Sequence, residues 1–296
     1  MSNRALAPAA PAAADPAPGG VVECPALRWA AGSLSAAQER LVAEEPLAVE
    51  IAYERQGQLV RRVLSVTMRT PGEDAELALG FLYCESLIDG LPEVLGAGPL
   101  GENSRGEKIA TWCVRLAGPP RSQAIERVSR GIITSAACGL CGRTSLQGLR
   151  LAPGGPTPAG PPIAGAALLA LPGRLRQLQR VYPETGACHG AGLFDEAGEP
   201  LIVREDVGRH NAVDKVIGAA LARGIPTAGR TLVLSGRAGF ELLQKAAAAG
   251  VALVVSVGAP SSLAVQLARD AGITLAGFAR DGRFNVYSQS GRLIRG

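Results

Sequence analysis

The chain has 296 residues, 47% of them hydrophobic but only 4% aromatic, enough for one large or two smaller packed domains with an aliphatic, alanine-rich interior. Its 30 Lys and Arg stand against 26 Asp and Glu, a formal charge of +4 without a long basic run, which argues against nucleic-acid binding and for a local anion site built from a few convergent arginines. Six cysteines are too few for a dense disulfide scaffold, the N-terminus lacks a continuous apolar signal core, and no run of roughly 18 apolar residues is present, so a cytoplasmic protein with no membrane span is expected.

Residues 1–22 are Ala/Pro-rich and read as a disordered tail. Order is expected to begin near Leu47, where a strand at 47–53 pairs across a Gly57-containing turn with 59–66. Pro71-Gly-Glu-Asp then opens a helix in which Leu77 and Phe81, and Ala78 and Leu82, recur four positions apart on one face. A strand at 111–116 completes an N-terminal α+β region spanning 40–125. A CxxC-bearing segment occupies 126–150. Residues 151–163 read as a linker or insertion, because their prolines lack backbone donors and their glycines lose entropy in any regular element.

Residues 164–290 form a C-terminal α/β portion. Strands at 191–194 and 201–205 flank a turn at 195–200; helices at 210–221, 238–249 and 262–271 then alternate with strands at 231–235, 251–257 and 273–278. This alternation predicts an α/β sheet covered by helices, with binding groups presented at the strand ends.

The strongest single motif is Cys138-Gly-Leu-Cys141-Gly, set between Thr134-Ser-Ala-Ala and Gly142-Arg-Thr-Ser. Two thiols at this spacing can hold a metal, cycle through a disulfide or carry a sulfur atom, and the small residues around them favour access over packing. A zinc site is poorly served: no second CxxC and no histidine pair at finger spacing follow. A hydrolytic deaminase would place HxE ahead of PCxxC, yet Ala137 precedes Cys138 and both histidines come later. A dithiol oxidoreductase stays open, although the motif lies mid-chain without the early strand-to-helix context of a thioredoxin domain.

Three polar junctions follow. In Glu205-Asp206-Val-Gly208-Arg209-His210-Asn211-Ala-Val-Asp214-Lys215, a strand gives way to a helix whose first N–H groups lack partners. Arg209, His210 and Asn211 can grip an anionic or heterocyclic ligand, and Asp206 can orient a side chain or bind a base amine. The alternative is capping and solvated ion pairing, with Asp214 and Lys215 at the surface. Ser235-Gly236-Arg237-Ala-Gly239-Phe-Glu241 repeats the design and suits a phosphate, while the absence of GxxxxGK and GxGxxG speaks against nucleotide-hydrolase and dinucleotide folds. Cys188-His189-Gly190 offers either a ligand contact or a structural histidine beside a small buried thiol.

Together these segments resemble the FdhD family of formate dehydrogenase accessory sulfurtransferases, or sulfur carriers. The resemblance is carried by Glu45-Pro-Leu-Ala-Val-Glu50, Met68-Arg-Thr-Pro-Gly72 through Leu79-Gly-Phe81, Thr134-Ser135 with the CxxC, the 205–215 motif, Ser235-Gly-Arg237 with Glu241, and Arg283-Phe-Asn-Val-Tyr287. It implies a cytidine-deaminase-like sheet flanked by helices, with an additional small α+β region. It implies that Cys138 and Cys141 take sulfur from a cysteine desulfurase persulfide and deliver it to the molybdenum or tungsten bis-pyranopterin guanine dinucleotide cofactor of formate dehydrogenase. No protein-liganded metal is implied, and a homodimer is. The implied cofactor contacts are Arg69, His189, Asp206, Arg209, His210, Asn211, Asp214, Lys215, Ser235, Gly236, Arg237, Glu241, Phe284 and Asn285. Arg209 and Arg237 would take phosphates, and Asp206 and Asn211 a base or sugar. Around His189 the chain departs from the family pattern, keeping Gly186 but carrying Ala187-Cys188 and Gly190; Cys188 is thereby an added relay candidate. A non-catalytic cofactor chaperone is the nearest alternative.

Overall fold

The computed structural model describes residues 20–121, 125, 160 and 162–294. The CxxC thiols Cys138 and Cys141, the segment 126–150, most of 151–163 and residues 1–19 lie outside the described residues.

Alternating apolar residues give the expected hairpin, β3 (Glu45–Arg55) and β4 (Gln58–Arg69), closed by Gln56 and Gly57, both at positive φ. β3 pairs in parallel with β6 (Ala110–Leu116), the strand expected at 111–116, and β5 (Val94–Leu100) closes the sheet in the order β4-β3-β6-β5. The expected helix is α1 (Asp74–Cys84), which lays Leu77, Ala78 and Leu82 over Leu47, Val49, Ile51 and Val114.

Regular structure starts earlier than Leu47. β1 (Val21–Ala30) and β2 (Ser33–Val42) form a separate two-stranded ribbon, turning at Ala31 and Gly32, again both at positive φ. The ribbon escapes a sequence reading because apolar residues fall on both of its faces, Leu27, Trp29 and Leu34 on one and Val22, Ala26 and Leu41 on the other, which blurs the period of two.

The C-terminal portion is built on a six-stranded mixed sheet in the order β13-β12-β11-β10-β8-β9. Its strands are β8 (His189–Phe194), β9 (Pro200–Asp206), β10 (Thr231–Leu234), β11 (Leu253–Ser256), β12 (Thr274–Arg280) and β13 (Arg283–Ser288). β10, β11 and β12 run parallel, while β8, β9 and β13 are antiparallel to their neighbours. The parallel strands are buried on both faces, hence the unbroken apolar runs Leu232-Val-Leu and Leu253-Val-Val. On one face lie α4 (Arg209–Ala222), α5 (Phe240–Ala248) and α6 (Ser262–Ala271), bringing Val213, Val216, Leu242, Leu243 and Leu267 to the core. On the other lies α2 (Gly165–Leu178), followed by the one-turn α3 (Tyr182–Thr185); Leu168, Leu171 and Leu175 pack on Phe194, Val233 and Val255. β7 (Ile163–Ala164) and β14 (Leu293–Ile294) pair as a short parallel clip. The fold is thus α/β, with mixed sheets and flanking helices. Among the described residues no helix is long and apolar enough to cross a membrane.

The two portions meet where α1 crosses α4 at Gly80 and Gly218. A Cβ at either position would lie 1.8 Å from a carbonyl oxygen of the opposite helix, that of Asp214 or Glu76. Only hydrogen fits there, so the helices approach through their backbones.

Candidate functional site

The ends of β9 and β10 and the start of β8 lie at one edge of the sheet, because β8 is antiparallel to both. That edge gathers His189, the Gly208-Arg209-His210 junction and Ser235-Gly236-Arg237. α4 and α5 both begin here, with Gly208 and Gly239 at their N-caps and no side-chain cap bond at either. Their first amides therefore remain available to an anion. Arg237 is exposed and Arg209 half-buried, and neither makes an ion pair among the described residues. His210 Nε2 lies 3.0 Å from Glu241 Oε2, tying the starts of α4 and α5 together. The Ser235 hydroxyl accepts from Gly190 N at 2.8 Å, and a Cβ at Gly236 would come within 3.2 Å of His189 Nδ1.

His189, Ser235 and Gly236 are also the floor of a cavity of about 730 Å³ beneath α2. Its walls include Arg176, Tyr182 and the β12–β13 turn at Arg280–Gly282, with the Arg176 guanidinium 3.5 Å from the Tyr182 ring centroid. This space is large enough for a nucleotide-sized ligand.

The remaining motif residues serve a buried polar network rather than this edge. Asp206 is fully buried. It accepts from Thr70 N at 3.1 Å, Gly208 N at 2.8 Å and Asn211 Nδ2 at 3.0 Å, and pairs with Lys215 Nζ at 2.9 Å. Lys215 also donates to Thr70 O at 2.9 Å and Glu73 Oε2 at 3.2 Å. Asn211 donates to Met68 O at 2.8 Å, binding α4 to β4. Asp214 takes Lys245 Nζ at 2.7 and 2.8 Å. Burial alone would depress the Lys245 ammonium, but this carboxylate more than offsets it and holds the pKa above the usual lysine value. Arg69 is bidentate to Asp74 at 2.8 and 3.0 Å and reaches Glu45 at 3.2 Å. The reading of Asp214 and Lys215 as solvated surface charges is therefore corrected: both are buried, since apolar residues of α4 close around them. Phe284 packs against the core under α2, its ring facing Gly165 at the start of that helix, and Asn285 Nδ2 lies 3.3 Å from the Tyr287 hydroxyl on β13.

Sequence reasoning assigned no role to Glu205. Its carboxylate accepts from Arg180 N at 2.5 Å, Val181 N at 2.8 Å, Tyr182 N at 2.9 Å and Gln179 Nε2 at 3.1 Å. It thereby fixes the segment that carries two of the cavity-wall residues, Gln179 and Tyr182.

Residues 42–294 match the family model described as the FdhD/NarQ family. The chain belongs to the FdhD/NarQ family. It is 47% identical over 273 residues to the "Sulfur carrier protein FdhD" of Anaeromyxobacter dehalogenans (strain 2CP-C), covering 87% of this chain and 90% of that relative. It is 46% identical to the namesake from Nocardia farcinica, over 86% and 88% of the two chains. Its fold is similar to the crystal structure of a protein described as a formate dehydrogenase accessory protein from Desulfotalea psychrophila, with TM-score 0.69 and 25% identity over 93% of this chain and 99% of that one.

Within this FdhD/NarQ chain the described thiols divide by environment. Burial pushes Cys188 up to about 12 and Cys113 to about 11, in both cases helped by neighbouring carboxylates, and raises Cys84 well above an ordinary thiol. At neutral pH these three are protonated and poor nucleophiles, which corrects the idea of Cys188 as an added sulfur relay. Among the described residues no group of three or more His, Cys, Asp or Glu is placed to hold a metal ion.

His189 is depressed below the ordinary imidazole value of 6.5, first by burial and then by Arg209, His210 and Arg237, against a smaller opposing pull from Asp206. The unfolded chain thus binds this proton more readily than the folded one. Its contribution to stability is complete above about pH 6.5 and is lost as the pH falls through the folded value. With only two histidines in the chain, an NMR titration should show a resonance with midpoint below 6.5 that His189→Ala removes; a midpoint at or above 6.5 would contradict the cationic surroundings described for it.

Proposed function

We propose that this chain is a sulfurtransferase that carries persulfide sulfur from a cysteine desulfurase to the molybdenum or tungsten bis-pyranopterin guanine dinucleotide cofactor destined for formate dehydrogenase. The observation that carries the reading is the family match over 42–294, an interval that contains both Cys138 and Cys141. It is supported by the protonated, buried state of Cys84, Cys113 and Cys188, which leaves the CxxC pair and the half-buried Cys24, and Cys24 lies outside the matched interval.

A thiolate of Cys138 or Cys141 attacks the outer sulfur of the desulfurase persulfide; its S–S bond breaks, the desulfurase cysteine leaves as a thiolate, and this chain holds Cys–S–SH. The second thiolate then attacks the inner sulfur of that persulfide, so that sulfide departs to the cofactor and a Cys138–Cys141 disulfide remains for a thiol reductant to reopen. The cofactor is cargo. Arg209 and Arg237, with the open N-termini of α4 and α5, would receive its phosphates, and the cavity floored by His189, Ser235 and Gly236 a nucleotide end. In this reading Asp206, Asn211, Asp214, Lys215 and Arg69 hold that edge in place, Glu241 orients His210, and Phe284 and Asn285 back the sheet. The six-stranded sheet corresponds to a cytidine-deaminase-like core, with β3–β6 and α1 as the smaller α+β region. The chain acts in the cytoplasm as a homodimer.

The test is mass spectrometry after incubation with a cysteine desulfurase and isotope-labelled cysteine, comparing wild type with Cys138→Ala and Cys141→Ala. A labelled persulfide on the CxxC that moves to added cofactor is expected. Retained cofactor with no labelled adduct on folded protein would replace this reading with a chaperone, and turnover of the disulfide without sulfur transfer with a dithiol oxidoreductase.

A further inference from the structure

β9 ends in two adjacent acids whose side chains leave opposite faces of the sheet. Asp206 turns to α4 and β4, and Glu205 turns to the segment that follows α2. Four donors converge on the Glu205 carboxylate and divide evenly between its oxygens. Oε1 takes Tyr182 N at 2.9 Å and Gln179 Nε2 at 3.1 Å; Oε2 takes Arg180 N at 2.5 Å and Val181 N at 2.8 Å. Three consecutive backbone amides around one anion form a nest, which fixes the chain that donates them. α3 begins in this nest without a side-chain cap from its own N-cap residue, so Glu205 supplies the acceptor that its first amide needs. The sheet leaves room for the arrangement at Gly190, the register partner of Glu205, where a Cβ would lie 2.8 Å from Gln179 Nε2.

The nest governs more than a turn. Tyr182 leaves it as part of the cavity wall, and the Arg176 guanidinium rests over its ring. Arg176 is exposed and makes no ion pair among the described residues, so the ring contact holds its charge at the cavity. We propose that Glu205 is a positioning residue for the nucleotide end of the cofactor, placing Arg176, through Tyr182, as the cation on the α2 wall. This role rests on the cavity being the seat of that nucleotide end. A carboxylate is required, because an amide at 205 would turn its NH2 on two of the four donors whichever way round it sits. The segment then shifts, and a misplacement of about 1 Å can cost about 100-fold in what a positioned group contributes. A side chain that merely capped a turn would change stability and leave the Arg176 charge worth the same to the ligand.

The test is isothermal titration calorimetry of the full chain with GDP, on wild type, Glu205→Gln, Arg176→Ala and their double variant, and on Arg237→Ala alone and with Glu205→Gln. Glu205→Gln and Arg176→Ala should each raise the dissociation constant by roughly tenfold or more. The double variant should bind no more weakly than Glu205→Gln, whereas Arg237→Ala should add its full effect to that variant. Urea denaturation reports whether each chain is folded. If Glu205→Gln does not fold, Tyr182→Leu takes its place in the cycle, since it removes the ring and keeps the nest; Arg176→Ala should then cost nothing further. Affinity unchanged in either single variant, or losses from Glu205→Gln and Arg176→Ala that simply add, would overturn the proposal. A wild type that binds no GDP would remove the nucleotide from the cavity and this role with it. A chain that shows the coupling yet forms no labelled persulfide would refute the sulfur-carrier reading alone.

Discussion

Gly218→Val should destabilise the chain by about 3 kcal/mol or more, among the larger effects available to a single substitution. At this position even a Cβ would sit 1.8 Å from the Glu76 carbonyl oxygen and 2.8 Å from Gly80 N. No rotamer relieves that clash, because both contacts are backbone. The helices would have to move apart, and three ties across the joint would stretch together: Arg204 to Glu76 at 2.5 and 2.8 Å, Lys215 to Glu73 at 3.2 Å, and the hydrogen bond between the Cys84 thiol and Asp214. Gly80→Val should behave alike, its Cβ meeting the Asp214 carbonyl oxygen at 1.8 Å. Gly173 is the control. It lies inside α2, and a Cβ added there would have nothing within 4 Å, so Gly173→Ala should be neutral or stabilising by up to about 1 kcal/mol through helix propensity. Urea denaturation of the three variants measures the contrast; a Gly218→Val chain as stable as wild type would mean that α1 and α4 do not meet as described.

That joint shows which parts of the fold were legible in the sequence. The β-α alternation after His189 could be read because its strands are continuous apolar runs and its helices fall between glycine-marked breaks. α2 could not be, since Pro172 and Gly173 sit in its interior and read as breakers; the useful signal was Leu168, Leu171 and Leu175, three buried residues at helical spacing. The 283–287 motif carries part of the family resemblance but no strand signal, because β13 is an edge strand with a mostly half-exposed face. For the site, the sequence located the junctions but not the direction in which each polar residue points. Arg209 and His210 stand at the open start of α4, whereas Asn211 and Lys215, one turn apart, face inward to Asp206. Glu205 was indistinguishable from its charged neighbours, because its partners are backbone amides 23 to 25 positions away.

Asp206→Asn follows from that inward face and should cost about 3–5 kcal/mol, the range for breaking a buried pair from one side. Gly208 N and Asn211 Nδ2 reach one carboxylate oxygen and Thr70 N and Lys215 Nζ the other, all within 3.1 Å, so the amide nitrogen leaves one of these pairs without an acceptor. With the amide oxygen kept by Gly208 and Asn211, the fully buried Lys215 ammonium would lose its closest counter-charge and keep Thr70 O, Glu73 and the Glu205 carbonyl. If the loss comes from that stranded charge, Asp206→Asn/Lys215→Met should be more stable than the sum of its single variants requires, with a coupling of about 1–3 kcal/mol in a double-mutant cycle. The same logic separates scaffold from ligand contact. Arg237→Ala removes an exposed guanidinium at the start of α5 and should leave the unfolding midpoint unchanged while weakening retention of a guanine nucleotide probe. Asp206→Asn should weaken retention together with stability, because it releases Gly208 and the first turn of α4. Retention lost in Asp206→Asn at full stability would instead put that carboxylate in direct contact with the ligand.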